Sequence, residues 1–387
     1  MKKLSLIIVF ALTTIIAFGQ TESIKLQATK VLRQQVLADA TWALQQQPIT
    51  VTAQSSPRSA GGKHDFFSEA DYWWPNPANP NGPYINRDGE TNPDNFVAHR
   101  KAMIRFSEII GALASAYQIT GDEKYVKHAL VHLKAWFVDE ETLMNPNLLF
   151  AQAVKGVSTG RSWGIIDAIH LMEVAQGILV MENATLFDQS ALKTIKKWFA
   201  DYTLWLNTSK PGIAEKLSKN NHSTCWVMQV ASFAKLCNDQ ALLDSLRWRY
   251  KNITLPNQMA IDGSFTLELE RTKPYGYSIF NLDAFTMICQ ILSTPNDNLW
   301  QFETADGKSI KKAIAYLYPY VTDKSKWPLK PDVMFWNNWP IAQPFLIFGA
   351  NSFNHQTWFN TWKNLELKPS NEEVIRNVPI RHPLIWL

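Results

Sequence analysis

Apolar side chains recur at steps of three and four along most of the chain beyond residue 100, the spacing of amphipathic helices. From Lys101 to Thr120 they are Ile104, Ile109, Ile110, Leu113 and Tyr117, with Gly121 ending the run. Asp122 to Val138 repeats the pattern with Tyr125, Ala129, Leu133, Trp136 and Phe137. The Thr120-Gly121-Asp122 link is so short that the two helices must form an antiparallel hairpin. Further helices are predicted over Gly164 to Met181 and, after an N-cap at Asp188, Gln189 to Leu206. His222 to Cys237 and Gln240 to Lys251 form another short-turn pair, followed by Ser278 to Leu292, Lys308 to Leu317 and Ile341 to Phe348.

Strand-type alternation is scarce. Helical hairpins that continue over about 300 residues without a fixed period predict an all-α fold, an (α/α) toroid or incomplete barrel rather than a regular solenoid. The segments Ser68 to Asn95, Met144 to Ser162, Ser209 to Asn221 and Trp327 to Pro340 are rich in Pro, Asn, Gly and Trp. Such long, aromatic loops are expected to wall a cleft at one end of the toroid. No linker separates a second domain, so residues 20–387 are expected to form a single catalytic domain.

The N-terminus changes the picture of where this domain works. Lys2 and Lys3 precede an apolar stretch from Leu4 to Phe18, and Gly19 and Gln20 open a polar segment. This is the pattern of a signal peptide over residues 1–19, too short for a membrane span and followed by no second apolar run. A soluble, monomeric periplasmic or secreted protein is expected. Composition agrees with a large core: 46% of the 387 residues are hydrophobic and 19% charged. The formal charge of +4 is spread without a basic stripe, which argues against a nucleic-acid partner. Three cysteines exclude a disulfide-built scaffold, and Cys225, Cys237 and Cys289 read as small buried apolar residues.

Four clusters could carry chemistry. Asn220-Asn221-His222-Ser223 opens a helix, where an amide and an imidazole beside the positive dipole end suit an anionic carboxylate, although Asn221 could simply cap the helix. Glu268-Leu269-Glu270-Arg271 leads into Lys273, Pro274, Tyr275, Gly276 and Tyr277, read as a constrained loop bearing a guanidinium and two phenols. Positive charge beside a tyrosine there is expected to favour the phenolate, unless Arg271 is taken up by Glu268 or Glu270. Tyr72-Trp73-Trp74-Pro75 and the turn Arg87-Asp88-Gly89 suit stacking on sugars, or plugging a loop onto the core. The fourth runs from Met144-Asn145-Pro146-Asn147 through Gln152 to Gly160-Arg161-Ser162-Trp163-Gly164, where Arg161 could clamp a carboxylate. No zinc-type Cys or His spacing, phosphate-binding glycine loop or nucleophile elbow is present, so neither a metal nor a cofactor is expected.

In this order, these motifs, with Leu269-Glu270-Arg271 and Tyr277-Ser278-x-Phe280-Asn281-Leu282, resemble the alginate lyase domain family from about Asp65 to Gly349. The resemblance implies an α/α toroid that cleaves mannuronate-containing polymers by β-elimination. It implies that Asn221, His222, Arg271 and Tyr277 form the catalytic centre, with Tyr275 a rival for the last place. Tyr72, Trp73, Trp74 and Arg100 are expected to bind substrate, together with Gln152, Arg161, Trp163 and Tyr275. The Ser223-Thr224-Cys225-Trp226 run departs from commoner versions of the family motif, and the expected single domain sets the chain apart from larger two-domain relatives. β-Elimination needs the uronate carboxylate neutralised, the C5 proton removed and the C4 oxygen protonated as it leaves. Asn221, His222 and Arg271 supply the donors, and Tyr277 as phenolate and then phenol can do both proton transfers on mannuronate; on guluronate His222 would be the base. The rival readings are a glycoside hydrolase using Asp167 and Glu268, a polysaccharide-binding envelope protein, and a lyase on a related uronan such as glucuronan.

Overall fold

The computed structural model describes residues 22–387, so the expected export signal lies outside the described residues. Helix α1 (Ile24–Ala43), capped by the Ser23 hydroxyl, is followed by short strands β1 (Phe67–Glu69), β2 (Trp73–Trp74) and β3 (Ile85–Asn86). Next come α2 (Ala98–Thr120), α3 (Lys124–Phe137), β4 (Phe150–Ala153), a 3₁₀ segment (Ser162–Ala168), α4 (Leu171–Met181) and α5 (Gln189–Thr208). The middle of the chain forms α6 (Lys210–Lys216), α7 (Asn221–Leu236), α8 (Gln240–Arg249), α9 (Leu255–Gln258), α10 (Thr266–Leu269) and α11 (Pro274–Leu292). It closes with α12 (Ile310–Thr322), α13 (Pro344–Phe353), α14 (Gln356–Asn364) and α15 (Glu372–Asn377). Strands take up 5% of the structure and helices 58%, so the all-helical expectation holds and the strands only tether loops.

The helices form an incomplete toroid. α2, α4, α7, α11 and α13 pack each against the next as an inner row, and α3, α5, α8, α12 and α14 back them from outside. The inner helices bury almost their whole circumference: in α7 every residue from Ser223 to Ala234 is buried. α1, to which the sequence pattern assigns no element, closes the ring by packing on α2 and touching α13 and α14. Its buried face is a narrow line of Ile24, Ala28, Leu32, Val36, Ala40 and Ala43, whose many alanines give a weak periodic signal.

Three predicted boundaries move, each for a local reason. The helix expected from Gly164 divides into the 3₁₀ segment and α4, bent by 40°. Gly164 is pressed on β4, where an added Cβ would meet the Ala151 Cβ at 2.5 Å, and Arg161 N–H donates to the Ala151 carbonyl at 2.9 Å. α11 starts at Pro274 rather than Ser278. Pro274 occupies the first turn, where its missing N–H costs nothing, and the Asp332 carboxylate accepts from Tyr275 N and Gly276 N, both at 2.9 Å. The expected loop Ser209 to Asn221 holds α6, capped by the Ser209 hydroxyl accepting from Gly212 N at 3.1 Å.

Beneath the loop end of the toroid lies a balanced cluster of buried charge. Asp71 accepts from Arg100 at 2.6 Å and from Arg376 at 2.9 Å; Arg100 also reaches Asp167 at 3.3 Å. Arg376 and Lys273 both pair with Glu373, at 3.0 and 2.7 Å. Asp167 is completed by Ser68 Oγ at 2.6 Å and Gln152 Nε2 at 3.1 Å. The cluster pins the β1–β2 loop, α2, the 3₁₀ segment, the start of α11 and α15 to one another.

Burial pushes the Asp71 carboxyl up, but Arg100 and Arg376 overcome it and hold the group far below its ordinary value of 3.8. A depressed native pKa contributes stability that is fully present above the unfolded value and withdrawn as pH falls through it. Asp71→Asn should therefore cost about 3–5 kcal/mol at neutral pH, because it strands buried cations. Urea titration should show that loss shrinking as pH drops below about 4, where wild-type Asp71 begins to lose its advantage.

Candidate active site

Two inner helices present their N-termini to the same cleft. At α7 the cap is Asn220, whose side-chain oxygen lies 3.4 Å from His222 N, so Asn221 is released from the capping role. Asn221 instead gives both its backbone N–H and its Nδ2 to the two oxygens of Glu268, each at 2.7 Å. His222 points its Nδ1 at Glu215 Oε1, 2.7 Å away, and keeps 16% of its side chain exposed. Burial raises the Glu268 carboxyl, with the Asn221 bonds, Arg271 and His222 pulling the other way.

Arg271 and Tyr277 meet at the start of α11. Arg271 pairs with neither Glu268 nor Glu270; its Nη2 donates to Asp88 Oδ1 at 2.6 Å and to the Tyr277 hydroxyl at 3.2 Å, and Nε donates to Asp88 Oδ2 at 3.2 Å. Gly89, at φ +80°, turns the chain so that Asp88 can reach, since a Cβ there would meet Thr272 Oγ1 at 2.4 Å. Burial would raise the Asp88 carboxyl, but Arg271 and Thr272 hold it below its usual range. The Tyr277 hydroxyl donates to the Tyr72 hydroxyl at 3.0 Å, and Lys273 Nζ sits 4.9 Å from the Tyr72 ring centre and 5.5 Å from that of Tyr277. The expected easing of the Tyr277 proton is corrected here. Burial and the neighbouring Tyr72 lift the phenol well above its ordinary value, and Arg271 opposes them without prevailing.

Tyr72, Trp73, Gln152, Arg161, Trp163, Asn221, His222, Arg271 and Tyr277 line one cavity of about 750 Å³. Its other wall holds Asp71, Asp88, Lys219, Arg376 and Asn377. Arg161 is fixed by Gln152, its Nε donating to the backbone oxygen and Nη2 to Oε1, both at 3.1 Å. Its guanidinium lies 5.5 Å from the Trp73 ring and 4.9 Å from that of Trp163, which in turn stands 5.9 Å from the His222 ring. Half of Trp163 is exposed, a flat apolar face beside the polar groups. Among the described residues no group of three or more His, Cys, Asp or Glu could hold a metal ion.

Three expected substrate contacts lie elsewhere. Arg100 is buried in the ion cluster, both its nitrogens engaged by Asp71 and Asp167. Trp74 donates Nε1 to the Glu90 carbonyl at 2.9 Å and is covered by Arg87 outside the cavity. Tyr275 is fully buried among Trp327 and Trp336, with its hydroxyl on the Tyr320 carbonyl at 3.1 Å. Residues two apart on a helix face nearly opposite ways, so once Tyr277 faces the cleft Tyr275 faces the core. Asp167 and Glu268, the acids of the hydrolase reading, are both buried and already bonded. The sequence reading left Glu215, Arg376 and Asn377 without a role; single polar residues in segments with no assigned helix carry no periodic signal.

The alginate lyase family model matches residues 50–327. The structure is similar to that of an alginate lyase from Bacteroides ovatus, at 30% sequence identity and a TM-score of 0.80, covering 94% of this chain and 96% of that one. It is also similar in fold to alginate lyase A1-III from Sphingomonas species A1, at 17% identity, TM-score 0.56, and 84% and 89% coverage. A variant of alginate lyase A1-III complexed with tetrasaccharide aligns at 16% identity, TM-score 0.59, over 91% and 94% of the two chains. No curated protein matches the sequence.

Exchange of the two tyrosines for phenylalanine separates their roles. Tyr275→Phe should lower stability by about 1 kcal/mol, the worth of one buried hydrogen bond, and leave turnover intact. Tyr277→Phe should instead cut turnover about 10²–10⁴-fold.

Proposed function

This chain belongs to the alginate lyase family and is a polysaccharide lyase, and we propose that it cleaves alginate at mannuronate by β-elimination without a metal. The observation that carries the reading is the Arg271 Nη2 to Tyr277 Oη contact of 3.2 Å, on the cavity that also receives Asn221 and His222. A uronate carboxylate seated between the two helix N-termini meets positive dipole ends, an amide and a guanidinium. That neutralisation is what lets the weakly acidic C5 proton leave, and protein donors suffice for it. Trp73 and Trp163 offer flat faces to sugar rings, and Arg161 between them suits the carboxylate of a neighbouring residue.

In mannuronate the C5 proton and the C4 leaving oxygen lie on one face, so a single group can serve both. The Tyr277 oxygen takes the C5 proton, the C5 electron pair forms the C4–C5 double bond, the C4–O bond breaks, and the same proton passes from Tyr277 to the departing oxygen. Tyr277 rests as a phenol, so the basic form must first be made; Arg271 at its oxygen, its carbon 4.3 Å from the ring centre, stabilises that phenolate. We also propose that the chain is exported, on the strength of Lys2, Lys3 and the apolar stretch to Phe18.

Polymannuronate incubated with the enzyme should yield products absorbing in the ultraviolet as conjugated uronates, and a chelator should leave the rate unchanged. Tyr277→Phe should lose about 10²–10⁴-fold in kcat with oligosaccharide binding retained. The phenolate fraction grows about tenfold per pH unit below its pKa, so kcat/KM should climb from neutral toward alkaline pH. A flat profile, or saturated products, would defeat the assignment of the base or of the reaction.

A further inference from the structure

Glu215 has no exposed surface, yet its carboxyl group has a single hydrogen-bond partner among the described residues. Oε1 lies 2.7 Å from Nδ1 of His222, whereas Oε2 has no hydrogen-bond partner among the described residues. The fold takes trouble to put it there. α6 doubles back on α5 after the Ser209 cap, and Gly212 allows it, since a Cβ at that position would meet the Leu206 carbonyl at 2.3 Å. Around Glu215 stand the Tyr202 phenol of α5 and the Cys225 thiol of α7, both kept protonated by burial and by the carboxylate itself. Neither gives it a hydrogen bond among the described residues, so the only group that explains a buried acid here is the imidazole.

We propose that Glu215 is a positioning residue that holds the His222 proton on Nδ1, so that a bare Nε2 meets the substrate. Free neutral imidazole of a histidine side chain prefers the other tautomer, and a carboxylate at Nδ1 reverses the preference. Nε2 makes no hydrogen bond among the described residues and the ring lines the cleft, so this nitrogen is the one presented. The groups that face the ring are Glu215 from α6, Glu268 behind Asn221 from α10, Lys219 and Asn220 from the intervening loop, and Trp163 from the 3₁₀ segment. Arg271 stands on the same cavity wall as Tyr277. The inference deepens the reading of the cleft as a lyase site and rests on it for its consequence: His222 enters the reaction as a hydrogen-bond acceptor at Nε2, the complement of a phenol that must give up its proton.

The test is nitrogen-15 NMR of the histidine rings in the substrate-free enzyme at mildly alkaline pH, with His222 assigned by loss of its signals in His222→Ala. The expected result is a protonated Nδ1 and a bare Nε2; a protonated Nε2 with bare Nδ1 would overturn the proposal, and the only variant that has to fold for this answer is His222→Ala. Glu215→Gln keeps the shape and removes the charge. It should return His222 toward the Nε2-protonated tautomer and reduce kcat roughly 10²–10⁴-fold at nearly constant KM, by analogy with removing the orienting carboxylate behind a catalytic histidine. A Glu215 that merely filled space would change thermal stability and leave the tautomer as in wild type, which would also overturn the proposal. The NMR result is independent of turnover. A wild-type enzyme that shows the Nδ1-protonated ring but forms no unsaturated product sinks the lyase reading and upholds the role of Glu215.

Discussion

Six buried charges under the cleft decide where everything above them stands. Asp71, Asp167 and Glu373 are matched by Arg100, Arg376 and Lys273, three against three, in contacts of 2.6 to 3.3 Å. Buried ions are tolerated only when each finds a partner, so the segments that bear them have little freedom to drift. Tyr72 follows Asp71 directly, Tyr277 lies four residues beyond Lys273, and Gln152 is tied to Asp167. The cleft thus inherits its geometry from an electrostatic floor rather than from the loops that seem to form it.

A second regularity lies at the surface of the cleft itself. Asn221 is held by Glu268, His222 by Glu215 and Arg271 by Asp88. Each of these three cleft groups thus has an acid behind it, within 2.6 to 2.7 Å. Such backing fixes the side chain before substrate arrives, which is where electrostatic catalysis gains most. It also tempers the positive potential of two helix ends and two cations, so that the empty cleft is not a region of unopposed charge.

How much of this was readable beforehand depended on the kind of signal. Helices such as Ala98–Thr120 and Lys124–Phe137 announce themselves because a buried face repeats every turn, and Gly121 marks the stop with its left-handed backbone. The family resemblance singled out Asn221, His222, Arg271 and Tyr277, which the structure brings to one cavity. Tyr275 and Tyr277 could not be told apart while Pro274 was taken as a helix breaker; as a first-turn residue it sets them on opposite faces. Arg100 looked like a ligand for an anion because its partner Asp71 is 29 residues away and nothing local betrays the pairing. Glu215 and Arg376 were silent for the same reason: their meaning lies wholly in contacts across the fold.

The ion pair between Asp71 and Arg376 spans 305 positions of sequence. A ribosome making this protein must therefore deliver everything from Asp71 to Arg376 before the floor can close, and contacts of such long range form late. Until α15 docks, Asp71 has Arg100 but lacks Arg376, and Lys273 lacks Glu373. The cleft floor is in this sense a late joint: it closes only when segments 305 positions apart have met.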